Sequence, residues 1–137
     1  MKLVVVFDTS VLVSALGWGG KPGQRVRLAR DGTIDGITCP EILHELTNVL
    51  SAKLTWNAER IVEVVGSLEL FLRPVTIAGK VSGISADPTD EKILECATAG
   101  GASHIVTSDK KHLLPIRNFQ GIEIVLPSDL LRIAQAT

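Results

Sequence analysis

The chain lacks clustered cysteines or histidines, long apolar runs and an excess of charge of either sign, and each lack closes a class of function. Its two cysteines, Cys39 and Cys96, stand far apart in 137 residues. That is neither the paired spacing of a structural zinc site nor the density of a disulfide scaffold. Reduced thiols in a cytosolic protein are the economical reading, and neither is expected to act as a nucleophile. His44, His104 and His112 are scattered and are expected at the surface or in the core, not around zinc or copper. No apolar stretch approaches the roughly twenty residues of a membrane helix. Residues 3–7, behind a single Lys2, are too short for a signal segment and lack its cleavage site. A soluble cytoplasmic protein without membrane contact is expected. A net charge of −1 gives by itself no long-range attraction for nucleic acid.

With 45% hydrophobic residues, residues 1–137 are expected to form one domain whose core needs neither disulfide nor structural metal. Residues 3–7 are β-rich and apolar throughout, as in a strand covered on both faces. A helix is expected over 11–16, a glycine-rich loop over 17–23 and a further helix over 24–30. Residues 34–38 suit a second strand. Pro40 then opens a helix to about residue 53, and Asn57 caps another to about 72. A short strand over 74–77 and a glycine-containing connection lead to Asp87, which is expected to cap a helix running to about 99. Strands over 104–107 and 122–126, a short helix over 109–114 and a terminal helix from Pro127 complete the order. Alternation of strand and helix predicts a three-layer α/β fold with a mostly parallel sheet and right-handed crossovers.

Ligands of such sheets bind beyond the carboxyl ends of the strands. Asp8 follows the first strand directly, and Asp109 follows the 104–107 strand with only Ser108 between. Each could instead be a helix cap. Asp90 shares a helix face with Ile93, Leu94 and Ala97, whereas Glu91, Lys92 and Glu95 are expected to point elsewhere. A capping pair with Asp87 would also explain Asp90. Glu45 lies on the margin of the stripe formed by Ile42, Leu43, Leu46, Val49 and Leu50, roughly 100° from its centre; an inert surface Glu is the alternative. Four carboxylates held close together repel unless cations neutralise them. Oxygen donors without a His or Cys cluster point to Mg²⁺ or Mn²⁺. Two basic stretches, Lys21, Arg25, Arg27 and Arg30, then Lys110, Lys111, His112 and Arg117, are solvated faces or phosphate contacts.

The segments Asp8-Thr9-Ser10-Val11-Leu12, Pro40-Glu41-Ile42-Leu43-His44-Glu45-Leu46, Asp87-Pro88-Thr89-Asp90-Glu91-Lys92-Ile93-Leu94 and Thr107-Ser108-Asp109 resemble, in order, the four acidic motifs of PIN domains. The likeness spans nearly the whole chain and is greatest to the single-domain toxins of toxin–antitoxin systems. It implies a Rossmann-like sheet and a Mg²⁺- or Mn²⁺-dependent ribonuclease. It further implies a homodimer and inhibition by a small antitoxin protein. Asp8, Glu45, Asp90 and Asp109 would form the catalytic set. Asp8, Asp90 and Asp109 would hold a metal that activates water and stabilises charge on the scissile phosphate. Glu45 would orient water or bind a second ion. Thr9, Ser10 and Thr107 would support the carboxylates, and Arg25 and Lys110 would touch the RNA backbone.

Two other classes compete. A phosphatase resembling the haloacid dehalogenase family fits Phe7-Asp8, but it wants a second acid where this chain has Ser10, and usually a longer chain. A PIN-like RNA-binding or scaffolding module with an idle site, or a receiver-like domain, is the non-enzymatic reading. The full set of four acids counts against idleness, and a receiver would want its acidic pair beside the first strand.

Overall fold

The computed structural model describes residues 2–79 and 88–136. Six strands, β1 (Val4–Phe7), β2 (Asp35–Thr38), β3 (Arg73–Pro74), β4 (His104–Val106), β5 (Asn118–Phe119) and β6 (Ile122–Val125), form one sheet in the order β3-β2-β1-β4-β6-β5. All pairings are parallel except the β5–β6 hairpin. The helices are α1 (Thr9–Gly17), α2 (Gly20–Arg30), α3 (Pro40–Ala52), α4 (Ala58–Glu69), α5 (Pro88–Ala99) and α6 (Pro127–Ala136). This is the expected α/β architecture, with a mostly parallel Rossmann-like sheet.

Successive strand residues face opposite sides, and in β2 both sides are filled. A Cβ on Gly36 would meet Ala29 of α2, while the next residue, Ile37, extends its Cδ1 toward Gly100 at the end of α5. Hence α2 covers one face and α5 the other. That two-sided cover explains why Val5, Val6 and Phe7 are all buried and why the sequence of β1 shows no polar alternation. Because β1 pairs with β2 on one side and β4 on the other, the strand order reverses there and leaves a crevice at the carboxyl edge.

Several local expectations change. The glycine-rich loop shrinks to Trp18 and Gly19, since α2 already begins at Gly20 with Pro22 in its first turn, where a missing N–H costs nothing. No α-helix forms over 109–114. Turns lead instead into a 3-10 segment at Leu114–Ile116, and the Asp109 side chain accepts the N–H groups of Lys111 and His112 across the first of them. The β5 hairpin was not expected. Asn57 does cap α4, accepting from the Arg60 N–H at 2.8 Å. The role expected of Asp87 lies outside the described residues.

Glu95 departs from its expected outward position. It is buried on α5, and its Oε2 accepts the N–H groups of Ala78 and Gly79 at 2.6 and 2.7 Å, so it fastens the segment after β3. Both cysteines are buried and meet despite their separation in sequence: their mutual hydrogen bond pushes the Cys96 thiol up and holds the Cys39 thiol down.

Candidate metal-binding active site

The four acids converge at the crevice. Asp8, at the end of β1, is only 5% exposed and is at once a helix cap and a lining residue. Its Oδ1 accepts the Val11 N–H at 2.9 Å and the Ser10 hydroxyl at 2.7 Å, while its Oδ2 accepts the hydroxyl of Thr107. The cap and the site are therefore one arrangement: pinning α1 to β1 fixes the carboxylate's direction. Thr107, fully buried after β4, also accepts the Asp109 N–H at 2.9 Å. One hydroxyl thus links the two acids that leave the two central strands. Asp109 in turn closes its own loop, its Oδ1 accepting from Lys111 N–H at 3.0 Å and His112 N–H at 3.1 Å.

Asp90, in the first turn of α5, is buried beside Ile93, as its helix face predicts. Glu45 is half-buried on α3, and its Oε2 accepts the Thr9 hydroxyl at 3.1 Å. Asp8, Thr9, Ser10, Glu45, Asp90, Ile93 and Asp109 line a single cleft of about 210 Å³. At its edge, one ligand atom each from Asp90, Asp109 and the exposed His112 lies within 4.8 Å of the others. This grouping therefore includes His112, which the sequence suggested was no ligand, and omits Asp8, whose two oxygens are turned to α1 and Thr107. His112 Nδ1 stands 3.3 Å from Asp109 Oδ2.

Burial pushes the Asp8 carboxyl above the usual carboxylate range, against the pull of the Thr107, Ser10 and Val11 donors, and the charge of Asp109 adds to the rise. Burial also works to raise Asp109, but the N–H groups of His112 and Lys111 and the His112 ring outweigh it and hold that carboxyl low. Among the described residues, no lysine or arginine forms an ion pair with Asp8 or Glu45. A buried, negatively charged cleft built of oxygen donors fits a hard divalent cation such as Mg²⁺ or Mn²⁺. The neighbouring His112 imidazole is a donor that suits first-row transition ions better than Mg²⁺.

Of the two residues assigned to the RNA backbone, one is misplaced. Arg25 is buried, and its Nε donates to the Pro127 carbonyl at 2.7 Å, so it joins α2 to the start of α6 and is not offered to a ligand. The basic run around it suggested a surface, yet Arg25 falls on the inner face of α2 with Val26 and Ala29. Lys110 is exposed, next to Asp109. Thr107 yields a direct prediction: Thr107→Val keeps the shape and removes the link between Asp8 and Asp109. Activity that depends on the cleft should fall about 10- to 100-fold, the usual cost of losing a ligand's support. A rate within twofold of wild type, measured side by side, would count against a joint role for the two acids.

No curated protein matches the chain. A family model described as the PIN domain matches residues 4–111, a span that takes in all four acids and every element from β1 through the loop after β4; the chain belongs to the PIN-domain family.

Proposed function

We propose that this protein is a divalent-metal-dependent ribonuclease that hydrolyses phosphodiester bonds within RNA. PIN domains are generally nucleases. The observation that carries the reading is the convergence of four acids from four separate chain segments on one cleft. A role as the toxin of a toxin–antitoxin pair, with a small antitoxin protein and a second copy of the chain as partners, rests on the motif resemblance alone.

Asp90 and Asp109, with Asp8 behind them, would hold the ion. When bound, it supplies Lewis acidity and neutralises charge developing on the phosphate. Thr107 keeps the first and last acids in register, and the Thr9 hydroxyl orients Glu45 through one oxygen. The other Glu45 oxygen is available to take a proton from water as the water oxygen bonds to phosphorus. The P–O bond to one ribose then breaks, and the departing oxygen is protonated from solvent. Lys110, exposed beside Asp109, would touch the RNA backbone.

The test is incubation of a mixed RNA pool with purified protein in Mg²⁺, Mn²⁺ or EDTA, with DNA and a simple phosphomonoester as parallel substrates and Asp90→Asn as the comparison protein. RNA cleavage that needs metal and is lost in the folded variant is expected. RNA retained but never cut would favour the idle binding module, and turnover of the phosphomonoester alone would favour a phosphatase.

A further inference from the structure

A second recess adjoins the acidic cleft and shares Thr9, Ser10 and Glu45 with it. It runs between α1 and α3 with a volume of about 390 Å³, and its remaining walls are Val13, Ser14, Trp18, Val49, Lys53 and Leu54. That volume lies within the roughly 300–1,000 Å³ of small-ligand sites. Trp18, just after α1, is 72% exposed. The chain's other tryptophan, Trp56, has its ring occupied by the Arg60 guanidinium at 3.6 Å from the centroid. The indole of Trp18 is thus open to water beside a lysine, at the rim of a carboxylate cleft.

We infer that this recess is a nucleotide subsite, in which a base next to the scissile phosphate of single-stranded RNA stacks on Trp18 while Lys53 meets a flanking phosphate. The inference rests on the nuclease reading of the neighbouring cleft. A flat aromatic face next to a cation is the pairing that single-strand binders use, because every base has a face to stack and every nucleotide a phosphate. Continuity with the acids supplies direction: a strand whose phosphate sits among Asp90, Asp109 and Glu45 has the recess as its immediate neighbour across Thr9 and Ser10. The hydroxyl of Ser14 at the recess is suited to a sugar or base edge. A groove made for an apolar peptide would have little use for Lys53.

The experiment has two independent readouts. In the first, single-stranded oligoribonucleotides carrying either a base or an abasic site next to the cut are cleaved by wild type, Trp18→Ala and Trp18→Phe, with melting curves confirming the fold. Trp18→Ala should raise KM about tenfold with kcat little changed, Trp18→Phe should recover most of the loss, and the abasic oligonucleotide should erase the difference. In the second, oligoribonucleotide is titrated against indole fluorescence in metal-free buffer. Quenching should survive Trp56→Phe and vanish in Trp18→Phe, and Lys53→Ala should lower the slope of log affinity against log salt by about one. Equal KM for Trp18→Ala and wild type, or an equal loss on abasic and base-bearing RNA, overturns the subsite, as does quenching that persists in Trp18→Phe. A recess that receives a protein segment instead would leave RNA cleavage unchanged in Trp18→Ala and the Trp18 fluorescence of wild type unmoved by RNA. A wild type that cuts no RNA sinks the nuclease reading, and the fluorescence arm then still decides whether RNA binds at Trp18.

Discussion

Asp8→Asn is expected to lower RNA cleavage by about a thousandfold and, in the absence of metal, to raise the melting temperature. The first effect follows from losing one anionic donor beside the ion: charge stabilisation worth several kcal/mol, at about 1.4 kcal/mol per tenfold in rate. The second follows from burial. Asn keeps an oxygen for the Val11 N–H and Ser10 hydroxyl that now bind Oδ1 and turns its NH2 to the Thr107 oxygen, whose hydroxyl loses Oδ2 as acceptor, so the cap survives while the buried charge disappears. Because the folded-state pKa of Asp8 is raised above 3.8, the unfolded chain ionises first as pH climbs past that value. The folded state then binds more protons, and stability falls until the folded carboxyl has ionised as well. Asp109, held low in the fold, acts oppositely: its contribution is present above pH 3.8 and is lost as pH falls through the folded value. Added Mg²⁺ should raise the melting temperature of wild type more than that of Asp8→Asn. Melting curves that ignore both metal and substitution, or a variant that cuts at the wild-type rate, would remove Asp8 from the site.

Gly36→Ala should cost about 2–3 kcal/mol of folding stability, or roughly 8 °C in melting temperature for a chain of this size. A Cβ there would stand 2.7 Å from Leu72 Cδ2 and 2.8 Å from Ala29 Cβ. The leucine methyl can rotate away, but the alanine methyl is fixed to the backbone of α2, so relief requires the helix to lift from the sheet. Equilibrium denaturation measures the loss directly. A change below about 0.5 kcal/mol would mean that α2 is not seated on β2 as described.

The acids of the cleft were legible because their neighbours announce them. Asp8 ends an unbroken apolar run, and Asp90 keeps step with Ile93, Leu94 and Ala97, whose burial the helical period dictates. Glu45 could be placed on a stripe's margin for the same reason. Arg25 and Glu95 were not legible, since a charged side chain is buried only when a distant backbone group receives it: the Pro127 carbonyl for one, the Ala78 and Gly79 N–H groups for the other. Local sequence carries no record of such partners. His112 stands three residues after Asp109, inside a basic run read as a solvated face or a phosphate contact. The two-residue strand β5 falls below any periodic signal. Trp18 was hidden inside a glycine-rich stretch read as a loop.

The short outer strands set a rule for assembly. At one border of the sheet, β3 is two residues long and includes Pro74, which has no N–H to donate; at the other, β5 is equally brief and is folded back against β6. Neither border offers the long row of open backbone groups that recruits a strand from another molecule. Among the described residues, growth by edge-to-edge addition is therefore disfavoured, and the large apolar side chains left to water lie elsewhere: Val62 and Leu70 stand 72% and 88% exposed on and just after α4.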